Sequence, residues 1–244
     1  MQAALPNRIS VSALDPRQRL IVALDVSTAA AAQKIVAAVG DSALTFKVGM
    51  QLYTAEGPQV VRDLAASGRR VFLDLKYHDI PNTVGAAVRE AAQLGVSMLT
   101  VHAAGSGKML QSAVDAARGQ PDLMVLAVTV LTSMDEHDLE NIGVRGTVVD
   151  SVIRLATIAL AHGCHGIVAS AREASTLRSK LGDDFAIVTP GVRPAGRGRG
   201  DQVRVVTPAE AIASGSTYIV VGRPITEAAD PAAEARAILG QISG

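Results

Sequence analysis

The segment "RRVFLDLKYHDIPNTV", residues 69–84, combines an apolar run with a dense group of charges. The run Val71–Leu73 leads directly into four ionisable residues: Asp74, Lys76, His78 and Asp79. Pro81 follows, and proline is well tolerated as the first residue of a helix. A surface turn would account for the charges but not for the apolar run before them. We therefore interpret the segment as a buried strand that ends in a polar mouth and is followed by a helix.

Seven further apolar runs resemble the one in this segment. The eight predicted strands are "LIVALD" (20–25), "LTFKVG" (44–49), "RVFLDL" (70–75), "SMLTVH" (97–102), "LMVLAVTV" (123–130), "HGIVAS" (165–170), "FAIVTPGV" (185–192) and "TYIVVG" (217–222). Their apolar runs are continuous, as in parallel strands covered on both faces. Ala-rich segments typical of helices lie between them, and several end on Gly. This alternation predicts an α/β fold, a single-domain (β/α)8 TIM barrel. A doubly wound open sheet is the alternative, because the repeat count alone indicates closure.

The same pattern sets the predicted domain boundaries. Residues 1–19 are expected to form an N-terminal arm, whose order the sequence leaves open, and residues 20–244 to form the catalytic barrel. A chain of 244 residues is within the usual size of one such barrel. The long connection 131–164, between the fifth and sixth strands, is predicted to hold a short extra helix besides the main one.

Composition and charge exclude several classes of protein. The 23 basic and 23 acidic residues give a formal net charge of +0, so the chain lacks the basic field of a general nucleic-acid binder. The lone cysteine, Cys164, cannot form an internal disulfide, and we expect it to be an inert packing residue in a reducing cytosol. No stretch approaches the roughly 18 apolar residues of a membrane helix, and the N-terminus lacks a signal-peptide pattern. We therefore expect a soluble, cytoplasmic protein with no nucleic-acid or membrane partner.

The active site of a TIM barrel lies at the carboxyl ends of its strands. The polar residues predicted at those ends are Asp25, Lys47, Asp74, Lys76, His102, Thr132, Ser133, Arg193 and Arg223. Charges are scarce inside the strands, so their collection at one end predicts a functional site rather than a solvated rim.

Four of the charges are predicted to form an alternating network. Asp74 and Lys76 are two positions apart on one strand and can both face the barrel axis. Lys47 comes from the neighbouring strand, and Asp79 lies in the turn before the next helix. Opposite charges in such a set stabilise one another. A purely structural ion cluster is the alternative, but buried ion pairs contribute little stability, which favours a functional role.

The loops after strands seven and eight predict a phosphate-binding site. In these barrels that position commonly binds phosphate through backbone N–H groups at a helix start. Here "GVRP" and "VVGRPIT" supply Arg193, Gly222 and Arg223, with Gly222 allowing close approach and arginine suited to bidentate contact. Gln202 closes a Gly- and Arg-rich loop that is a candidate lid. We therefore expect a phosphorylated small molecule as the ligand.

Other motifs carry less information. "AAGSGKML" lacks both the upstream Gly and the Ser/Thr of a P-loop, and the spacing of His137, His162 and His165 does not fit a metal site. His78 and His102 lie near the predicted site, and we interpret them as residues that pack against or support it.

The motifs "ALD", "FKVG", "FLDLKYHDIPNTV", "TVLTSM", "TPGVRP" and "VVGRPI" occur in this order. Together they resemble the orotidine 5′-monophosphate decarboxylase family from about residue 20 to the C-terminus, with no departure at the motif positions. The resemblance implies conversion of orotidine 5′-monophosphate to uridine 5′-monophosphate and CO2, the last step of de novo UMP biosynthesis, with no metal and no other cofactor. It also implies a homodimer whose active sites are completed across the interface.

The resemblance further implies a role for each site residue. Lys47, Asp74, Lys76 and Asp79 would form the catalytic network, with Lys76 as the proton donor. Asp79 and Thr83 would complete the partner subunit's site. The implied substrate contacts are Asp25 and Lys47 to the ribose, Asp74 near the departing carboxylate, Thr132 to the pyrimidine, and Arg193, Gln202, Gly222 and Arg223 to the lid and the phosphate.

Three alternative functions can be weighed against this one. A related barrel could use the D-x-K-x-x-D element to hold Mg²⁺ for sugar-phosphate chemistry, but Lys47 beside the carboxylates disfavours a divalent ion. A non-catalytic phosphosugar-binding barrel has no evident use for the four charges. Nucleic-acid binding through the Arg-rich loop "GRGRG" would depend on a short, isolated segment.

Overall fold

The computed structural model describes residues 14–194 and 206–243. Its eight strands are β1 Leu20–Ala23, β2 Thr45–Gly49, β3 Arg70–Tyr77, β4 Met98–His102, β5 Met124–Val128, β6 Gly166–Val168, β7 Ala186–Thr189 and β8 Tyr218–Val221. The helices are α1 Pro16–Arg19, α2 Ala29–Val39, α3 Met50–Glu56, α4 Gln59–Ala66, α5 Pro81–Ala92, α6 Gly107–Ala117, α7 Glu136–Asn141, α8 Val148–Ala161, α9 Ala171–Leu181, α10 Pro208–Ala213, α11 Arg223–Thr226 and α12 Pro231–Ile242. Each predicted strand is confirmed, as is the extra helix, α7, after β5.

The strands close into a parallel barrel in sequence order. β1 pairs with β2 on one side and with β8 on the other, with Ile21 opposite both Thr45 and Val220. This confirms the TIM barrel and excludes the open sheet, in which β1 and β8 would not meet. Within the described ranges, no helix is long and apolar enough to cross a membrane.

Apolar side chains fill both faces of the strands. The larger cluster lies between strands and helices, and a smaller one fills the barrel interior. The interior cluster consists of Ile21, Ala23, Phe72, Met98, Leu126, Ala186, Val188, Tyr218 and Val220. Burial on both faces explains the continuous apolar runs of the sequence. Because the interior is packed with these side chains, polar groups that face the axis are brought together at the mouth.

Local sequence signals set the ends of several elements. Pro81 is the first residue of α5, and Thr147 and Thr207 close capping boxes at the starts of α8 and α10. β7 ends at Thr189, earlier than predicted, because Pro190 follows and has no N–H to donate to the sheet.

The end of the predicted N-terminal arm is helical and contacts the barrel. α1 occupies its last four residues, and the Arg19 side chain donates hydrogen bonds to the carbonyls of Ser216 and Thr217 beside β8. Residues 1–13 lie outside the described part of the chain.

Candidate active site

The strand register carries Lys47 into the barrel mouth. Ala23, Lys47 and Phe72 lie side by side on β1, β2 and β3. Ala23 and Phe72 belong to the interior cluster, so the Lys47 side chain also faces the axis. Asp74 lies two residues beyond Phe72 and therefore faces the same way. The apolar strands thus place these charges directly above the packed interior.

Four charged groups form a continuous chain across this mouth. Lys47 Nζ lies 3.1 Å from Asp25 Oδ1 and 3.8 Å from Asp74 Oδ2, and Lys76 Nζ lies 3.0 Å from Asp74 Oδ1. The Lys47 and Asp74 side chains are 12% and 15% exposed, whereas Asp25 is 60% exposed. The structure therefore brings Lys47, Asp74 and Lys76 together at the barrel mouth. Removal of one partner would leave a largely buried charge uncompensated, which is costly.

An irregularity in β3 shapes the chain near Lys76. Leu73 is opposite Leu99 of β4 and Tyr77 is opposite Val101, so residues 74–76 stand opposite Thr100 alone. Within this bulge Lys76 has a φ of 54°. This left-handed conformation costs a non-glycine residue roughly 1–2 kcal/mol. Strained residues of this kind cluster at functional sites, so the bulge supports a role for Lys76.

A cavity of about 330 Å³ opens beside the network. It is lined by Lys47, Phe72, Asp74, Lys76, Val128, Val130, Leu131, Thr132, Ser133, Val168, Ala169, Pro190 and Val220. Apolar walls with a few convergent polar groups are typical of small-molecule sites, and this volume falls within their usual range of about 300–1,000 Å³. The structure therefore brings the predicted Thr132 and Ser133 to the same cavity as the network. A larger cavity, about 590 Å³, lies along α6, where Arg89 of α5 and His162 at the end of α8 also line it, and it contains none of these charges.

Two histidines lie at the edge of the site. The rings of His78 and His102 stack with their centroids 5.0 Å apart and their planes 18° from parallel. Burial lowers the pKa of His102, and the nearby His78 and Lys76 act in the same direction. A neutral His102 adds no further positive charge beside Lys76. The stacked pair lies beside Lys76, at the edge of the network.

The predicted phosphate-binding residues lie after β7 and β8. Gly222 precedes α11, and a Cβ at this position would lie 3.7 Å from Asp25 Oδ2, so β8 ends beside the exposed acid of the network. Arg193 donates its N–H to the carbonyl of Val206, next to an isolated bridge between Val192 and Val206. These contacts hold together the two ends of the predicted lid loop. Gln202 itself lies outside the described residues.

Asp79 and Thr83 do not reach the network within one chain. Asp79 is exposed, its Oδ1 accepts a hydrogen bond from the Ile80 N–H at 2.6 Å, and it takes no part in the ion pairs of Lys47 and Lys76. Thr83 is exposed in the first turn of α5. Within a single chain, the second acid of the alternating set is therefore Asp25.

Two residues near the network were not recognised from the sequence. The Thr100 hydroxyl forms hydrogen bonds with Asp74 and with the backbone of Lys76. Its position two residues before His102, on the same face of β4, is the sequence feature that could have identified it. Gly49 leaves space for Lys47, since a Cβ there would lie 2.9 Å from Lys47 Nζ. The glycine of "FKVG" carried no signal of this role beyond its place at the end of a strand.

Known proteins resemble the chain over nearly all of its length. The model of the orotidine 5′-phosphate decarboxylase / HUMPS family matches residues 18–238. An orotidine 5′-phosphate decarboxylase of Moorella thermoacetica is 50% identical over 233 residues, which cover 93% of this chain and 92% of that protein. One of Anaeromyxobacter dehalogenans is 51% identical over 225 residues, 92% of this chain and 98% of that protein.

The fold shows the same relationship. The crystal structure of an orotidine 5′-phosphate decarboxylase from Lactobacillus acidophilus superposes with a TM-score of 0.84 at 39% identity, covering 93% of this chain and all of that one. Sequence and fold agree over the whole barrel, including the strands that carry the charged network. The chain therefore belongs to the orotidine 5′-phosphate decarboxylase / HUMPS family.

Proposed function

We propose that the chain converts orotidine 5′-monophosphate to uridine 5′-monophosphate and CO2, the last step of de novo UMP synthesis, without a metal or other cofactor. The observation that carries this proposal is the chain Asp25–Lys47–Asp74–Lys76 beside a cavity of small-molecule size. The family name alone covers more than one kind of protein. The curated relatives at about half identity are named as decarboxylases, which favours this reaction.

Lys76 is the proposed proton donor. Loss of CO2 breaks the bond between C6 of the pyrimidine and its carboxylate, and the electron pair stays on C6. An ammonium group directed at C6 stabilises this negative charge and then transfers its proton to the same carbon. The ion pair of Lys76 Nζ with Asp74 Oδ1, at 3.0 Å, supports this role because the carboxylate orients the ammonium group. The resulting amine takes a proton from solvent before the next turnover.

Asp74 has a second proposed role. It would lie against the carboxylate that leaves, so that repulsion between the two anions is relieved as CO2 departs. The partial burial of Asp74 strengthens such a charge effect, since water screens it less. The two ammonium groups that flank Asp74 prevent its own charge from being left unpaired.

The remaining contacts are assigned to the rest of the nucleotide. Asp25 and Lys47 would bind the ribose hydroxyls, Thr132 the pyrimidine, and Arg193, Gly222 and Arg223 the phosphate, with Gln202 in the lid. The position of Gly222 beside Asp25 supports this order, because ribose and phosphate are adjacent in the substrate. Binding energy from the phosphate can then be used at C6, where the bond breaks.

We further propose a cytoplasmic homodimer in which Asp79 and Thr83 complete the partner subunit's site. The exposed Asp79 is followed by Ile80, which is 66% exposed although it is a large apolar residue. A single exposed aliphatic residue is common on protein surfaces, so the placement of Asp79 and Ile80 at the interface rests on the family resemblance, and their exposure is consistent with it. Mixing Asp79→Ala with Lys76→Ala subunits tests this arrangement. Hybrid dimers would carry one intact site and recover activity, whereas no recovery after confirmed subunit exchange would contradict the sharing.

The activity itself is tested by the ultraviolet absorbance of orotidine 5′-monophosphate mixed with purified protein in excess EDTA. A steady loss of the orotate chromophore is expected, because the network needs no metal. An unchanged spectrum in EDTA that begins to fall on addition of Mg²⁺ would contradict the metal-free reaction. No loss under either condition would contradict the decarboxylase activity.

A further inference from the structure

The bulge in β3 removes regular strand pairing where the proposed proton donor lies. Three residues, 74–76, stand opposite the single residue Thr100 of β4. The backbone of Lys76 is turned into the left-handed region, with a φ of 54°. Its N–H therefore needs an acceptor other than the regular backbone ladder, because buried N–H groups are almost always paired.

The side chain of Thr100 supplies that acceptor. Thr100 Oγ1 lies 2.9 Å from the backbone nitrogen of Lys76 and 3.0 Å from Asp74 Oδ1, and Thr100 is fully buried. The direction of both bonds is fixed by chemistry. A backbone N–H can only donate, and an ionised carboxylate can only accept, so the hydroxyl accepts from Lys76 and donates its one proton to Asp74.

The two bonds link the backbone and the side chain of the same lysine. Asp74 Oδ1 accepts from the Thr100 hydroxyl and also pairs with Lys76 Nζ at 3.0 Å. The hydroxyl thus connects the position of the Lys76 backbone to the position of the carboxylate that orients its ammonium group. The strained bulge and the ion pair are joined at one atom, Thr100 Oγ1.

We propose that Thr100 is a positioning residue that sets the height and direction of the Lys76 ammonium group at the barrel mouth. This inference rests on the proposed decarboxylation. Thr100 does not line the cavity, so its effect would pass through Lys76 and Asp74. Loss of the hydroxyl would move the ammonium group without altering the distant contacts to phosphate and ribose.

The test compares Thr100→Val, which keeps the shape but removes the hydroxyl, with Thr100→Ser, which keeps the hydroxyl. Displacements of about 1 Å can cost about 100-fold in rate, so we expect kcat of Thr100→Val to fall about 10- to 100-fold. KM for orotidine 5′-monophosphate should stay within about threefold, because the substrate contacts are unchanged. Thr100→Ser should recover kcat to within about threefold of the wild type.

Thr45→Val is the matched control. Thr45 is also a fully buried strand threonine, and its hydroxyl donates to the carbonyl of Gln18 at 3.2 Å, at the other end of the barrel. It should lose a hydrogen bond of similar kind and yet keep the wild-type kcat. If Thr100→Val does not fold, the same comparison is made with Thr100→Ala and Thr100→Ser.

Each outcome decides between the claims. If the wild type is active and Thr100→Val has the same kcat, the positioning role alone is overturned. Equal losses of kcat in the serine and valine variants, or in the Thr45→Val control, would overturn it as well, because a general loss of packing would then be the cause. An inactive wild type would overturn the proposed function and the positioning role together.

Discussion

Gly49 provides a way to move one charge of the network without removing any. A Cβ at Gly49 would lie 2.9 Å from Lys47 Nζ and 3.6 Å from Asp25 Oδ1, whereas ordinary contact begins at 3.4 Å. In Gly49→Ala the ammonium group must therefore retreat from the new methyl group by at least the difference between 2.9 and 3.4 Å. The ion pairs of Lys47, at 3.1 Å to Asp25 and 3.8 Å to Asp74, would have to rearrange.

The expected effect is large on activity and small on stability. A misplacement of about 1 Å can cost about 100-fold, so half of that distance should lower kcat/KM about tenfold, or about 1.4 kcal/mol. The backbone at Gly49, with φ −96° and ψ −176°, is accessible to alanine. The free energy of unfolding should therefore stay the same or rise by about 0.4–1 kcal/mol, because alanine reduces the freedom of the unfolded chain.

The assay measures kcat/KM with orotidine 5′-monophosphate and urea unfolding in parallel. Gly240→Ala, in α12, is the control and should keep wild-type activity, because the added methyl group meets no atom within 4 Å other than those of its own helix. In a Lys47→Ala background, Gly49→Ala should have no further effect, since the group that it displaces is gone. Wild-type activity in Gly49→Ala, or a full additional loss in the Lys47→Ala background, would refute the reasoning.

Two further predictions concern groups away from the network. The Nδ1 atom of His165 accepts a hydrogen bond from the Val125 N–H at 3.0 Å, and burial lowers the pKa of His165 below its ordinary value. Below about pH 6.5 the unfolded chain therefore binds more protons at His165 than the folded chain does. The stabilisation from a neutral His165 is therefore complete above about pH 6.5 and is lost as the pH falls. Measured by urea unfolding between about pH 7.5 and pH 5.5, the free energy of unfolding should depend less on pH in His165→Asn than in the wild type. Equal slopes in the two proteins would contradict the prediction. Cys164 is buried, and burial raises the pKa of its thiol to about 12. A thiol reagent at neutral pH should therefore label the unfolded chain and not the folded one. Rapid labelling of the folded chain would contradict this prediction.

The barrel and the location of its site were predictable because they follow from local patterns. Each strand appears in the sequence as a continuous apolar run, because both of its faces are buried, and a polar residue such as Asp25 or Asp74 follows several of these runs. The helix start at Pro81 is equally local. Closure was less certain from the sequence, because it depends on pairing between β1 and β8, at opposite ends of the chain.

The finer geometry of the site depends on pairing that the sequence does not display. The position of Thr100 opposite three residues of β3 results from a shift in register, and nothing in "MLTVH" indicates that shift. The left-handed backbone of Lys76 is likewise unexpected, because lysine has no preference for it. The outward position of Asp79 is set by the turn after β3 and not by the motif that contains it.

The most direct test of the account is the turnover of orotidine 5′-monophosphate by Lys76→Ala, measured together with its affinity for uridine 5′-monophosphate. Alanine has the same energetic cost in the left-handed conformation as lysine, so the substitution does not relieve the backbone strain of the bulge. Lys34→Ala, at an exposed lysine of α2, serves as the control. The account predicts that loss of the proton donor and of its charge lowers kcat at least about 10⁴-fold, while affinity for the nucleotide stays within about tenfold. Turnover near the wild-type rate, with nucleotide bound normally, would contradict the assignment of Lys76 as the proton donor.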